Sequence, residues 1–403
     1  MIFQTFRFPN GQTAKNRLFK SAMEEQLAHN HQPSQALVRL YDAWAKGGAG
    51  VLVTGNVMVA ENGKGSANDV VLTDERSLPV LEQWAKAGTQ NDTLLIMQIN
   101  HAGKQSPKVL SPVPVAPSAV PLQGMEGFIN PPRALENDEI EVLIRQFARA
   151  AEIADKAGFS GVQIHGAHGY LVSQFLSPHH NRRTDKWGGS LENRMRFLVE
   201  IYQAIRAAVR PEFLVGLKLN SADFQKGGFD EHDSIQVVQK MSELGIDFIE
   251  ISGGNYESPA MMAEKASTQA REAFFIDYAE KARAVSQMPL IITGGFRSEP
   301  AMNDALNSKH LDFVGIARPL TLMPDLPNRI KQGTYQTIAT RRAKTGVAAI
   351  DNKLGAVLEL NWYAVQMALI AAGKQPNPQL SAWKVLLKTL WENGKAGMST
   401  GRS

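Results

Sequence analysis

"PLIITGGFRSEPAMNDALNSKHLDFVGIARP", residues 289–319, decides the fold. Leu290–Thr293 is a short β-branched run, a glycine pair follows, the middle has helical periodicity, and Phe313–Ile316 is a second apolar run. Strand, helix, strand within about 30 residues is the unit of a parallel sheet. Outward from it the same alternation recurs, with strands expected at Leu18–Ala22, Gly50–Thr54, Leu94–Ile99, Gly161–His165, Leu214–Leu219 and Phe248–Ile251. Eight strands alternating with helices put the chain in the α/β class and make a (β/α)8 TIM barrel the leading architecture. A doubly wound open sheet is the alternative, but no Gly-x-Gly-x-x-Gly fingerprint follows an early strand. Helix signals agree: Asn137 or Asp138 is expected as an N-cap with Gly158 as the stop, and Ser190 caps a helix ending before Pro211. The stretch from Ser106 to Pro132 holds seven prolines and reads as a long ordered loop, with room for a small hairpin. The barrel is expected over residues 1–335, and a helical C-terminal extension over 336–403.

Bulk properties narrow the function. The chain has 403 residues, 43% hydrophobic and 20% charged, with a net charge of +4. Its basic residues are scattered, so a nucleic-acid partner is not expected. With no cysteine, disulfides, thiolate nucleophiles and cysteine-ligated clusters are excluded. The N-terminus lacks a basic segment followed by an apolar run, so it does not read as a secretory signal. The late apolar stretch "AVLELNWYAVQMALIAAG" is interrupted by Glu359, Asn361 and Gln366 and is read as too short for a bilayer of about 30 Å. The expectation is a soluble, cytoplasmic protein without a membrane partner. Oligomeric state is open, a homo-oligomer included.

In a βα barrel the chemistry gathers where the strands end. Here the ends read "KSAMEE", "TGN", "QINHAGK", "IHGAHGY", "KLNSADF", "ISGGNYE", "TGGF" and "GIARP", nearly all polar or glycine-rich. After strands seven and eight, barrels commonly hold a phosphate on backbone N–H groups, a helix N-terminus and one cation. Gly294 and Gly295 permit close backbone approach there, and Arg318 can clamp two phosphate oxygens. Lys218, inward in "FLVGLKLN", needs an anionic partner or a Schiff-base role. Gln98 is an inward amide suited to the donor–acceptor edge of a heterocycle. "HGAHGY" crowds His165, His168 and Tyr170 onto one turn, and no further ligand is evident that would make the histidines a metal site.

The run "HGAHGYLVSQFLSPHHNRRTDKWGGSLENRMRF", with "KNRLFKSAM", "GNVMV", "QINHAGK", "KLNSADF" and "GIARP", resembles the Old Yellow Enzyme family of FMN-dependent NAD(P)H oxidoreductases. The likeness covers about residues 1–335. It implies FMN across the barrel mouth, with Gly295, Phe296, Ala317 and Arg318 at its phosphate. Ala22, Met23, Glu24 and Asn56 would line the isoalloxazine ring, Gln98 would pair with its pyrimidine edge, and Lys218 would stand beside N1 and the C2 carbonyl. His165 and His168 would hold a substrate oxygen, and Tyr170 would protonate the α-carbon after hydride transfer from flavin N5. NADH or NADPH would be the reductant. An electron-poor alkene (enone, enal, maleimide), or a nitro compound, would be the substrate.

One position departs from the family pattern. Glu24 stands where threonine or cysteine is usual, so its carboxyl is expected to be turned away, neutral or paired with a cation. Two other readings stay open: a Schiff-base lyase or aldolase using Lys218, and a non-catalytic flavin-binding protein.

Overall fold

The computed structural model describes residues 1–254, 275–340 and 342–399. Eight parallel strands close on themselves: β1 (Leu18–Lys20), β2 (Val51–Val53), β3 (Leu94–Asn100), β4 (Gly161–Gly166), β5 (Leu214–Asn220), β6 (Phe248–Ser252), β7 (Leu290–Thr293) and β8 (Phe313–Ile316). Val314 pairs with Leu18 to bring β8 back to β1, and Gly161 pairs with Ile96, which links β4 to β3. Each strand lies within two residues of its expected bounds, because short β-branched runs buried on both faces leave little choice of element. The end "ISGGNYE" runs beyond Gly254, and Asn255, Tyr256 and Glu257 lie outside the described residues.

Helices α1 (Gln35–Lys46), α2 (Leu78–Gly88), α3 (Asn137–Lys156), α4 (Leu191–Ala208), α5 (Glu231–Glu243), α6 (Ile276–Val285) and α7 (Glu299–Asn307) alternate with the strands, and the short α8 (Arg318–Leu322) follows β8. Ser190 caps α4 by accepting from the N–H of Asn193. The cap of α3 is Glu136, one residue before the expected position, because Glu139 reaches back to the N–H of Glu136 and closes the first turn. The proline-rich loop forms no hairpin. Val115–Ala116 pairs instead with Arg133–Ala134 in parallel.

The barrel interior is layered by strand alternation. Its lower layer is apolar, with Phe19, Val51, Ile96, Leu214, Phe248, Ile291 and Phe313 all buried. An N-terminal hairpin, Phe6–Arg7 with Thr13–Ala14, closes this end, and Phe8 stacks on Phe313 with ring centroids 5.4 Å apart. Gly216 makes room for Phe248, whose ring would lie 2.1 Å from a Cβ at that position. One step up, the inward positions are Ser21, Gln98, Gln163, Lys218, Glu250 and Thr293, all buried. An apolar floor beneath a polar layer directs the chemistry to the C-terminal mouth.

The extension forms α9 (Ala348–Ala371) and α10 (Ala382–Ser399). By length and composition Leu354–Ala371 could cross a bilayer, which corrects the expectation that this stretch is too short. Half of that window is buried inside the protein. Leu358, Trp362 and Tyr363 form a buried cluster with Leu322, Val385 and Leu386, and Gln366 is buried on hydrogen bonds with the backbone of Asn377.

Candidate active site

His165 lies near the end of β4, level with Lys218 on β5, which is level with Glu250 on β6. The chain then turns. His168 takes φ +60°, an uncommon conformation for a side chain of its size. It is held there from both sides: its N–H donates to Asn220 Oδ1 at 3.2 Å, and its carbonyl accepts from Gln105 Nε2 at 3.1 Å. Gly169, at φ +76°, completes the turn, and Gln174 Nε2 donates to its carbonyl. As a result the rings of His165 and His168 lie 5.1 Å apart and that of Tyr170 lies 4.8 Å from His165.

Both imidazoles are held neutral. Burial pushes His165 well below its ordinary range, and His168 and Lys218 add to the effect. His168 is pushed down to about 3 by burial and Lys218. The Nδ1 of His165 accepts from the N–H of Ala167 at 3.3 Å, which leaves its proton on Nε2 as an outward donor. His168 Nε2 meets Ser252 Oγ at 2.8 Å. Asn56 donates to the Tyr170 hydroxyl at 3.5 Å and accepts from Asn100 at 3.1 Å.

The polar layer below is one connected network. Gln98 donates to Gln163 at 2.7 Å, Gln163 donates to Glu250 at 2.8 Å, and Glu250 accepts from Thr293 at 2.8 Å. Lys218 Nζ lies 3.2 Å from the same carboxylate. Glu250 is fully buried and yet held below the usual carboxylate range, because Lys218, Gln163, Thr293 and Ser21 outweigh the cost of burial. Thus Lys218 has the anionic partner its position demands. Gln163 and Glu250 were not singled out from the sequence. The available signal was a charged residue inside the apolar run "FIEIS", the same irregularity that marked Lys218 in "GLKLN".

The loop after β1 carries Ala22, Met23 and Glu24, all half-buried at the mouth. Its path is set by Glu25, which accepts from the Tyr41 hydroxyl and from the N–H of Gly55 at 2.7 Å. A Cβ at Gly55 would sit 2.0 Å from that carboxylate, so the two loops meet only because residue 55 is glycine. Lys20, also buried, donates to the Val53 carbonyl at 2.9 Å and lies 4.2 Å from the Trp44 ring. Burial pushes Lys20 down to about 8 against the opposing pull of Glu25. Glu24 is raised to about 8, chiefly by burial and then by Asp69, and Gln26 donates to it at 3.3 Å. Its neighbours are thus Gln26 and Asp69 rather than a cation, and the direction of the shift favours the neutral form.

At the other side of the mouth, Gly294 and Gly295 take φ +136° and +86° immediately after β7, conformations that favour glycine. Phe296 is buried behind them. Ala317 and Arg318 follow β8 directly, and one guanidinium nitrogen of Arg318 donates to Glu359 of α9 at 2.8 Å. Its Nε and remaining Nη make no hydrogen bond among the described residues. The donor set suits FMN: a glycine turn and a guanidinium edge for the phosphate, and an amide and an ammonium some distance away for the ring. Among the described residues no group of three histidine or acidic side chains is placed to hold a metal.

Residues 1–337 match the NADH:flavin oxidoreductase / NADH oxidase family. The chain is 40% identical over 346 residues to the NADH-dependent flavin oxidoreductase iliE of Neonectria sp. (strain DH2), covering 79% of this chain and 45% of that protein. With the iliE protein of Hypocrea jecorina (strain QM6a) it shares 38% over 349 residues, covering 79% of this chain and 86% of that one. It therefore spans about half the length of the first and most of the second. Among solved structures it superposes on the old yellow enzyme homologue from Zymomonas mobilis with a TM-score of 0.70 at 26% identity, over 83% of this chain and 94% of that one. A barrel whose mouth suits a flavin, matched along almost its whole length, belongs to the NADH:flavin oxidoreductase / NADH oxidase family of FMN-dependent enzymes, the Old Yellow Enzyme family.

Proposed function

We propose that this chain is an NADH-dependent reductase of small electron-poor alkenes. When bound, FMN supplies the hydride, having been reduced by NADH. His165 and His168 hold the substrate's carbonyl or nitro oxygen as a pair of neutral donors, polarising the conjugated double bond and accepting the charge that develops on the oxygen. Tyr170 delivers a proton from its hydroxyl to the α-carbon. Lys218 and Gln98 serve the pyrimidine side of the ring, while Asn56, Ala22 and Met23 border it. Gly295, Phe296, Ala317 and Arg318 serve the phosphate.

The observation that carries this reading is the neutral His165–His168 pair with Tyr170 on the same turn. Neutral imidazoles donate to a ketone oxygen without protonating it: His165 offers Nε2–H, and His168, with Ser252 donating to its Nε2, offers Nδ1–H from a ring 5.1 Å away. A Schiff-base role for Lys218 is disfavoured by its ion pair with Glu250. Burial and Asp69 shift Glu24 toward its neutral form, which would oppose a negatively charged ring less and so weighs against a non-catalytic reading.

The test is an anaerobic assay of NADH oxidation with an enone, a maleimide and a nitro compound, alongside heat release of the cofactor. We expect FMN in the supernatant and alkene-dependent NADH oxidation. In His165→Ala, phenol and enone binding should weaken by about 1–3 kcal/mol while flavin content is kept. FAD in the supernatant, or NADH oxidation indifferent to every alkene, would refute the proposal.

A further inference from the structure

The C-terminal extension lies outside the segment that matches the family, yet it touches both ends of the proposed flavin site. At the phosphate end, Glu359 of α9 accepts from Arg318 at 2.8 Å, with Arg342 Nε at 3.9 Å from its other oxygen. At the ring end, the apolar cluster of α9 and α10 packs against Met23. The helix is anchored to the barrel as well, since Arg39 Nε donates to the Ala371 carbonyl at 2.7 Å.

Glu359 is no ordinary surface carboxylate. Its side chain is 10% exposed, within a helix face otherwise made of Leu358, Trp362 and Tyr363, whereas that of Arg318 is 38% exposed. Burying a carboxylate is costly unless it is paired, so the cluster fixes the carboxylate and the carboxylate fixes the arginine. A guanidinium presents five N–H donors in a rigid plane. When one nitrogen is committed to Glu359, the edge formed by Nε and the other Nη has a fixed direction and remains available for two phosphate oxygens.

We propose that Glu359 is a positioning residue for the cofactor phosphate: the C-terminal extension, through Glu359, orients Arg318 and so makes FMN retention depend on a segment outside the family-matched barrel. The inference rests on the flavin reading of the site. Pre-orienting a long side chain removes part of the entropy that binding would otherwise cost. The net charge of the cluster stays positive because Arg342 accompanies Arg318.

The discriminating measurement is the affinity of flavin-free protein for FMN and for riboflavin, which lacks the phosphate, read by quenching of flavin fluorescence. In Glu359→Gln we expect the FMN dissociation constant to rise about tenfold, while that of riboflavin stays within about twofold. In an Arg318→Ala background the Glu359→Gln change should have no further effect on FMN, because the group it orients is gone. Should Glu359→Gln fail to fold, Glu359→Asp keeps the charge, shortens the reach, and should show a smaller loss with the same selectivity for FMN. Equal weakening of both flavins would make the contact merely structural and overturn the inference. Unchanged or tighter FMN binding would overturn it too, the latter by making Glu359 a competitor of the phosphate. If the unaltered protein binds neither flavin, the flavin reading itself fails.

Discussion

Tyr170 sits where two requirements meet. Its ring packs 4.8 Å from His165, and its hydroxyl receives a hydrogen bond from Asn56, which Asn100 holds in turn. The amide donates and the hydroxyl accepts in that contact, so Asn56 positions the hydroxyl without taking its proton. Tyr170→Phe removes only the oxygen. We expect reduction of the flavin by NADH to stay near the unaltered rate and reoxidation by an enone to slow by about 10²–10⁴-fold. Nitro compounds, which need no proton on carbon at that point, should suffer less. Stopped-flow measurement of the two half-reactions checks this, and equal slowing of both would mean a damaged site. The histidines and this tyrosine could be read from the sequence because they lie within six residues. Asn56 was found through the family resemblance, whereas Asn100 and Ser252, which arrive from other strands, were not singled out.

At the scale of elements, the barrel strands could be read almost to the residue, but the pairing between them could not. Lys218 was legible as a charge in an apolar run needing an anion. That the anion is Glu250 depends on the register of β5 against β6, a property of neither strand alone. The same holds for Gln98 and Gln163, level on β3 and β4. This network sets what the flavin would meet. A lysine whose charge is balanced by a buried carboxylate stabilises an anionic reduced ring less than an unbalanced one. Glu250→Gln keeps the shape and the amide partners and removes the balancing charge. The midpoint potential of bound FMN should therefore move upward by about 30–60 mV, the two-electron equivalent of about 1.4–2.8 kcal/mol. Thermal stability should fall, since Lys218 is left buried without its counter-charge. Spectroscopic redox titration gives the potential directly, and no shift would mean that Lys218 does not face the ring. The extension was the least legible element. Its helical character showed, but where it docks depends on surfaces of α1 and α8 that form only once the barrel closes.

Across the whole molecule, buried titratable groups pull stability in opposite directions with pH. His101, His165 and His168 are pushed below their ordinary value by burial. In the unfolded chain they take up protons as pH falls below about 6.5, while the folded protein does not, so their contribution is lost toward acid. Glu24 works the other way. Its folded value is raised to about 8 from an ordinary 4.5. Between those values the folded state keeps a proton that the unfolded state has released, so stability falls as pH rises. Below about pH 4.5 both states are protonated and the group contributes no slope. Asp69 and Asp247, each raised to about 6, add to the decline only on the acid side of neutrality. Among the described residues, then, Glu24 is the carboxyl raised furthest into the range from pH 6.5 to 8. Glu24→Gln replaces it with a neutral amide of the same size. In flavin-free protein the variant should match the unaltered chain in melting temperature most closely near pH 4, where Glu24 is protonated both folded and unfolded, to within the difference between an amide and a carboxylic acid. It should become progressively the more stable of the two toward pH 8. Melting curves at half-unit intervals decide it: a constant difference across that range would show that Glu24 does not carry its proton into neutral pH, and the carboxyl at the flavin-facing loop would then be charged.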